Sequence, residues 1–214
     1  MKKILIAGYP NLTHNYEAAI RALGAHPVTT LHIPDSSVYD GLILPGGSDI
    51  DPKLFGQLNC GSRIIDASLD RIQLMILKSF VHAKKPILGI CKGMQLINIF
   101  FGGDIIQNLP TCESHQYQGC DQVHETTASQ GSLLDKLYGK TFFVNSAHHQ
   151  GVRSPGKNIR YIQYCPDGVV EGLIHTHLPI VGVQWHPERM CFSLKRADTV
   201  DGSLLLEAFL GKIP

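Results

Sequence analysis

The stretch Pro86 to Gly103, PILGICKGMQLINIFFGG, constrains the fold of this chain more than any other. Its first half, Pro86 to Ile90, is a short apolar run suited to a buried strand of a parallel sheet, and Met94 to Phe101 carries apolar residues at helical spacing. Between them, Gly89-Ile90-Cys91-Lys92-Gly93 has the G-x-nucleophile-x-G form of a sharp strand-to-helix turn that lifts its central side chain above the sheet edge. Glycine two places either side lets neighbouring backbone pass close to the turn. A thiol placed there lies at a helix N-terminus, where the dipole and the free N–H groups favour thiolate over thiol. From this stretch alone Cys91 is either an activated nucleophile or a buried structural cysteine, since free cysteine is among the most buried residue types.

The flanking pattern is that of alternating strands and helices. Strands are expected at Lys3 to Gly8, His26 to Leu31 and Val38 to Leu44, with a helix over Tyr16 to Leu23 closed by Gly24. A second helix is expected over Asp66 to Ala83, with Ile72, Met75, Ile76, Leu77 and Val81 toward the sheet. Asp104 to His124 is polar and reads as a loop or hairpin. A short helix at Leu133 to Leu137 and a strand at Thr141 to Val144 follow, then late, partly antiparallel strands at Arg160 to Tyr164, Gly168 to His175 and Ile180 to Gln184. Leu204 to Leu210 is a terminal helix. The pattern gives an α/β fold, a three-layer flavodoxin-like sandwich with a mostly parallel central sheet, in which ligands bind outside the carboxyl ends of strands. Both Cys91 and the Gly46-Gly47 turn fall at such ends, and a Gly-Gly turn can aim bare N–H groups at a developing oxyanion.

A cysteine nucleophile needs a histidine to take its proton and a further acceptor to fix that histidine's tautomer. His186 and Glu188, two residues apart on a segment read as extended, share one face and offer the pair; a surface histidine near a turn proline is the plain alternative. Composition limits the partners. Among 214 residues 43% are hydrophobic and 17% charged, enough for one globular domain with a real core. A net charge of +1 with unclustered Lys and Arg gives no field for nucleic acid or an anionic membrane, so a small neutral or zwitterionic substrate is expected. The apolar run after Met1-Lys2-Lys3 stops at Gly8-Tyr9-Pro10, too early for a signal peptide, and a cytoplasmic protein is expected. The six cysteines lack framework spacing and are expected to be reduced. Cys112, His115, Cys120 and His124 can be drawn as a zinc quartet, but the spacing matches no common template closely, and neither metal nor other cofactor is expected.

Together PGGSDIDP, KPILGICKGMQLIN, VNSAHHQ, PDGVVEG and GVQWHPE resemble the class I glutamine amidotransferase superfamily over most of the chain, as a single domain of residues 1–214. They look closest to its γ-glutamyl-γ-aminobutyrate hydrolase branch. The resemblance implies Cys91 as nucleophile, His186 as base and acid, and Glu188 as orienter. It further implies the N–H groups of Gly47 and Lys92 as oxyanion hole, with Gln95, Asn145, Ser146, His148 and His149 holding a γ-glutamyl moiety. The implied activity is hydrolysis of a small γ-glutamyl amide through a cysteine thioester. One rival is a glutaminase component passing ammonia to a separate synthase; another is a catalytically silent binding module. A homodimer is possible under any of these. The chain departs from the branch at Lys92, where arginine is frequent, and at Asp70 and Gln73, where a carboxylate pair is more usual.

Overall fold

The computed structural model describes residues 1–33 and 35–213. In chain order the elements are β1 (Lys3–Ile6), α1 (His14–Ala22), β2 (His26–Thr29), β3 (Gly41–Leu44), α2 (Ala67–His82), β4 (Ile87–Ile90), α3 (Lys92–Phe100) and β5 (Ile105–Ile106). They continue with β6 (Gln122–Ala128), α4 (Leu133–Tyr138), β7 (Thr141–Ser146), β8 (Gly151–Val152), β9 (Ile159–Tyr164), β10 (Val170–His175), β11 (Ile180–Val183) and α5 (Ser203–Gly211). One nine-stranded sheet runs in the order β2-β1-β3-β4-β11-β10-β9-β6-β7. Pairing is parallel from β2 through β11 and antiparallel from β11 to β7, so the late strands extend a parallel sheet as the sequence pattern implied.

Alternation along each strand divides the core into two layers. Ile4, Ile6, Ile43, Leu88, Ile90 and Val183 face α1 and α5, packing with Tyr16, Ile20, Leu205 and Leu206. Leu5, Leu42, Leu44 and Ile87 face the other way, against Ile76, Leu77 and Phe80 of α2 and Met94 and Ile97 of α3. Covering both faces is what leaves the central strands β3, β4 and β11 without a polar side chain. Asp66 caps α2 by accepting the Leu69 N–H at 2.9 Å, so the helix proper starts one residue inside the expected boundary.

Three expectations are corrected. Met75 is 53% exposed, and the buried face of α2 is Leu69, Asp70, Gln73, Ile76, Leu77 and Phe80. Helical spacing of apolar residues alone misplaces this face, because the helix buries two polar side chains. The expected strand at Val38 begins only at Gly41, because Asp35 accepts the Ser37 N–H and winds Ser36–Val38 into a tight turn. Strand β7 runs on to Ser146, so Asn145 and Ser146 are strand residues rather than loop.

Candidate active site

Cys91 sits between β4 and α3 with φ 52° and ψ −109°, a strained conformation for a residue with a Cβ. The glycines around it are required by packing. A Cβ on Gly89 would lie 2.7 Å from the Gly93 carbonyl oxygen, and one on Gly93 would lie 2.0 Å from the Leu44 carbonyl oxygen. The turn is thus pressed between its own helix and the end of β3, and its N–H is held by the Val183 carbonyl at 2.8 Å. Backbone N–H groups of the first helical turn lack helical acceptors, and Lys92 N–H is among them.

His186 follows β11 and is 3% exposed. Its Nδ1 lies 2.8 Å from Glu188 Oε1. The two meet through a tight helical turn at Pro187–Arg189 rather than along an extended segment. Burial pushes the imidazole pKa down, but the Glu188 carboxylate and Cys91 outweigh it and raise it to about 9. Burial likewise pushes Glu188 up, and the His186 and Arg189 charges more than reverse this, leaving it below the usual range. A Cβ on Gly46 would fall 2.9 Å from His186 Cε1 and 3.4 Å from Cys91 Cβ, so Gly46 marks where thiol, imidazole and the Gly-Gly turn converge. The Gly46 N–H donates to the Tyr16 hydroxyl at 3.0 Å, and the next residue, Gly47, lines the cavity. Burial and the nearby Glu188 raise Tyr16 well above its ordinary pKa, so it stays a hydroxyl.

Two adjoining cavities share Gly47, Cys91 and Ala147. The inner one, about 50 Å³, is lined also by Asp49, Lys92, Gln95, His148 and His149. The outer one, about 280 Å³, is lined also by Tyr16, His186, Glu188 and Arg189. Gln95, His148 and His149 thus line the inner cavity. Gln95 Nε2 donates to the Gln150 carbonyl and Gln184 Oε1, and His149 Nε2 meets the Asp49 carboxylate at 2.9 Å. Asn145 and Ser146 line neither cavity. The Asn145 amide accepts the His186 N–H at 2.8 Å and donates to the His186 carbonyl at 3.2 Å, while Ser146 Oγ donates to the His115 carbonyl at 2.8 Å. Both are fully buried and hold backbone.

Several supporting groups carry little or no signal in the sequence. Arg189 binds Asp121 at 2.9 Å and stands 3.6 Å from Glu188, and its position directly after WHPE is the one available signal. Tyr16 has none. Lys92 Nζ lies 2.6 Å from Asp70 Oδ1, both essentially buried, in close contact though outside good hydrogen-bond alignment. The second Asp70 oxygen accepts the Asp51 N–H at 2.8 Å, and Gln73 donates to the Ala7 carbonyl at 2.7 Å. A single carboxylate thus balances Lys92 under the turn. The zinc quartet is split: Cys120 is exposed and Cys112 packs near Leu109 and Cys165, while His115 and His124 meet deeper in the fold.

The sequence profile of the peptidase C26 family matches residues 2–188. The chain belongs to that family. Among its relatives, a putative glutamine amidotransferase-like protein of Lactococcus lactis, YvdE, is 35% identical over 159 residues, 71% of this chain and 67% of that protein. The γ-glutamyl-γ-aminobutyrate hydrolase PuuD of Escherichia coli is 32% identical over 163 residues, 70% of this chain but only 64% of its own length. Among solved structures, a putative GMP synthase component from Thermoplasma acidophilum superposes with a TM-score of 0.72 at 23% identity, covering 99% of this chain and 93% of that one. This peptidase C26 chain accordingly has the α/β fold of glutamine amidotransferase-like proteins and enzymes among its relatives. No helix among its described residues is long and apolar enough to cross a membrane.

Proposed function

We propose that the chain hydrolyses the γ-glutamyl amide of a small molecule through a γ-glutamyl thioester on Cys91. The observation that carries this reading is the strained Cys91 turn meeting a histidine whose far nitrogen is held at 2.8 Å by a buried carboxylate. The Cys91 thiol passes its proton to His186 and its sulfur attacks the amide carbonyl carbon. Negative charge then develops on the carbonyl oxygen, where the Gly47 and Lys92 N–H groups receive it. The imidazolium, favoured by Glu188, returns the proton to the leaving amine as the C–N bond breaks. A water, deprotonated by His186, cleaves the thioester, releases glutamate and restores the thiol.

The cavities suggest which end of the substrate goes where. The leaving nitrogen must face His186, which lines the outer cavity, so the amine occupies the larger space and the γ-glutamyl end the smaller, polar one near Gln95 and His149. The relationship to PuuD supports an amine of that size class. A panel of γ-glutamyl amides, glutamine included, tests this. Glutamate and free amine should appear with at least one γ-glutamyl amine and disappear in Cys91→Ala. Glutamine as the sole good substrate, with ammonia released, would support a glutaminase component of a larger amidotransferase instead.

A further inference from the structure

Behind the inner cavity lies a cluster that the proposed reaction does not use. His124 on β6, Glu171 on β10, Cys165 just after β9 and His115 before β6 bring one ligand atom each to within 4.8 Å of one another. Glu171 is fully buried, and neither of its carboxylate oxygens has a hydrogen-bond partner. A buried, unpartnered carboxylate is costly. The fold nonetheless aims it there: the β9–β10 pairing passes from Val170↔Tyr164 to Gly172↔Gln163, so Glu171 sits in a bulge that re-aims its side chain.

Two of the three histidines around the carboxylate, His115 and His148, face it with lone pairs rather than protons. His115 Nε2 lies 2.9 Å from Asp167 Oδ2, an acceptor, so Nε2 carries the hydrogen and Nδ1 is left bare toward Glu171 Oε1 at 3.8 Å. His148 Nδ1 lies 2.9 Å from the Gln150 carbonyl, also an acceptor, leaving Nε2 bare at 3.4 Å from the same oxygen. His124 Nε2 is 3.7 Å from it, and neither His124 nitrogen has a hydrogen-bond partner. Lone pairs pointed at a carboxylate repel it unless something positive stands between. An imidazole whose outer N–H is held by a carboxylate or carbonyl is the arrangement that presents a metal-binding nitrogen. Ligand atoms about 2.0–2.3 Å from a tetrahedral zinc ion lie about 3.3–3.6 Å from each other. Here His115 Nδ1 and His124 Nε2 stand 3.8 and 3.7 Å from Glu171 Oε1 and all four atoms lie within 4.8 Å, so an ion would draw them together.

We propose that this cluster is a metal site holding one zinc-like divalent cation through His115 Nδ1, His124 Nε2, Cys165 Sγ and Glu171 Oε1. Mixed nitrogen, thiolate and carboxylate donors in a tetrahedral array suit zinc among the divalent ions. On binding, the Cys165 thiol gives its proton to bulk water. One thiolate, one carboxylate and two neutral imidazoles then cancel the charge of the ion, leaving a neutral buried site. Asp167 orients His115 and is itself held by the Thr111 hydroxyl at 2.6 Å. His148 joins this site to the reaction chamber, because its ring lines the inner cavity while its Nε2 faces Glu171. The ion would therefore brace the segment between β7 and β8 that walls the cavity.

The test uses the full chain without a histidine tag. Protein treated with chelator and reloaded with zinc should carry about one ion per chain by elemental analysis after gel filtration. Cobalt loading should give a tetrahedral visible spectrum with a thiolate charge-transfer band. Cys165→Ser should lose that band, whereas Cys112→Ser and Cys120→Ser should keep it. Asp167→Asn should weaken zinc binding about 10- to 100-fold, the usual effect of removing a partner that orients a ligand. Less than a tenth of an ion per chain in folded, reloaded wild type would overturn the proposal, as would a band indifferent to Cys165→Ser. None of these readouts requires activity, and the wild-type stoichiometry stands even if a variant fails to fold.

Discussion

Replacing Glu188 by glutamine tests the chemistry at its most sensitive point. The side chain keeps its shape and a hydrogen-bonding oxygen but loses the charge 2.8 Å from His186 Nδ1. Burial alone would lower the imidazole pKa, so its rise from 6.5 to about 9 is the work of Glu188 and Cys91 together. A rise of that size corresponds to about 3 kcal/mol in favour of the imidazolium, of which the Glu188 charge supplies a large part. If His186 must be protonated to release the amine, kcat/KM for a chromogenic γ-glutamyl anilide should hold through neutral pH and fall above about pH 9 in wild type. In Glu188→Gln the alkaline limb should move down by a unit or more, and the rate should fall at least tenfold, about 1.4 kcal/mol. The ceiling is the roughly 10⁴ lost when an orienting carboxylate is neutralised in an analogous triad. Stability should follow the same sign. A raised histidine pKa stabilises the fold fully below pH 6.5 and less as pH rises through 9, while the lowered Glu188 pKa stabilises it above about pH 4.5 and less as pH falls. The difference in stability between wild type and variant should thus be greatest between these values and shrink toward both ends. Wild-type kcat/KM and an unmoved alkaline limb in a folded variant would refute the reasoning. Asp49 pairs with His149 and Glu171 stands 3.4 Å from His148, so neither takes the place of Glu188 at His186.

Two further substitutions probe the frame around the triad. Asp70→Asn strands the buried Lys92 ammonium and should cost about 3–5 kcal/mol, a fall in Tm of about 6–20 °C by calorimetry; a loss under about 1 kcal/mol would show that the pair does not carry the turn. Asn145→Ala frees the His186 N–H and carbonyl and should lower kcat about 10- to 100-fold with little change in KM, whereas a group that binds substrate would raise KM first.

How far the sequence can be read follows from which residues act locally. Gly89, Cys91 and Gly93 announce the turn because the backbone contacts that demand glycine arise within the strand-turn-helix itself and at the adjacent strand end. His186 and Glu188 are also local partners, and they meet even though their segment is a tight turn rather than extended. Met75 misleads because apolar periodicity ignores buried polar residues, and Asp70 and Gln73 occupy the face it is assigned by spacing. Asn145 and Ser146 read as loop because nothing in NSAHHQ marks where β7 ends. Glu171 lies furthest from view: its inward aim depends on a bulge fixed by pairing with β9, and its neighbours come from separate segments. Drawing Cys112 and Cys120 with His115 and His124 follows sequence proximity, whereas the fold replaces both cysteines by Cys165 and Glu171.

The central claim is that the acyl group passes through Cys91, and acid-quenched peptide mass analysis during turnover tests it most directly. A γ-glutamyl mass increment on the peptide containing Cys91, absent when Cys91→Ala is treated alike and discharged on chase with water, is the expected result. Turnover that persists in Cys91→Ala, or an acyl increment found on another residue, would contradict it.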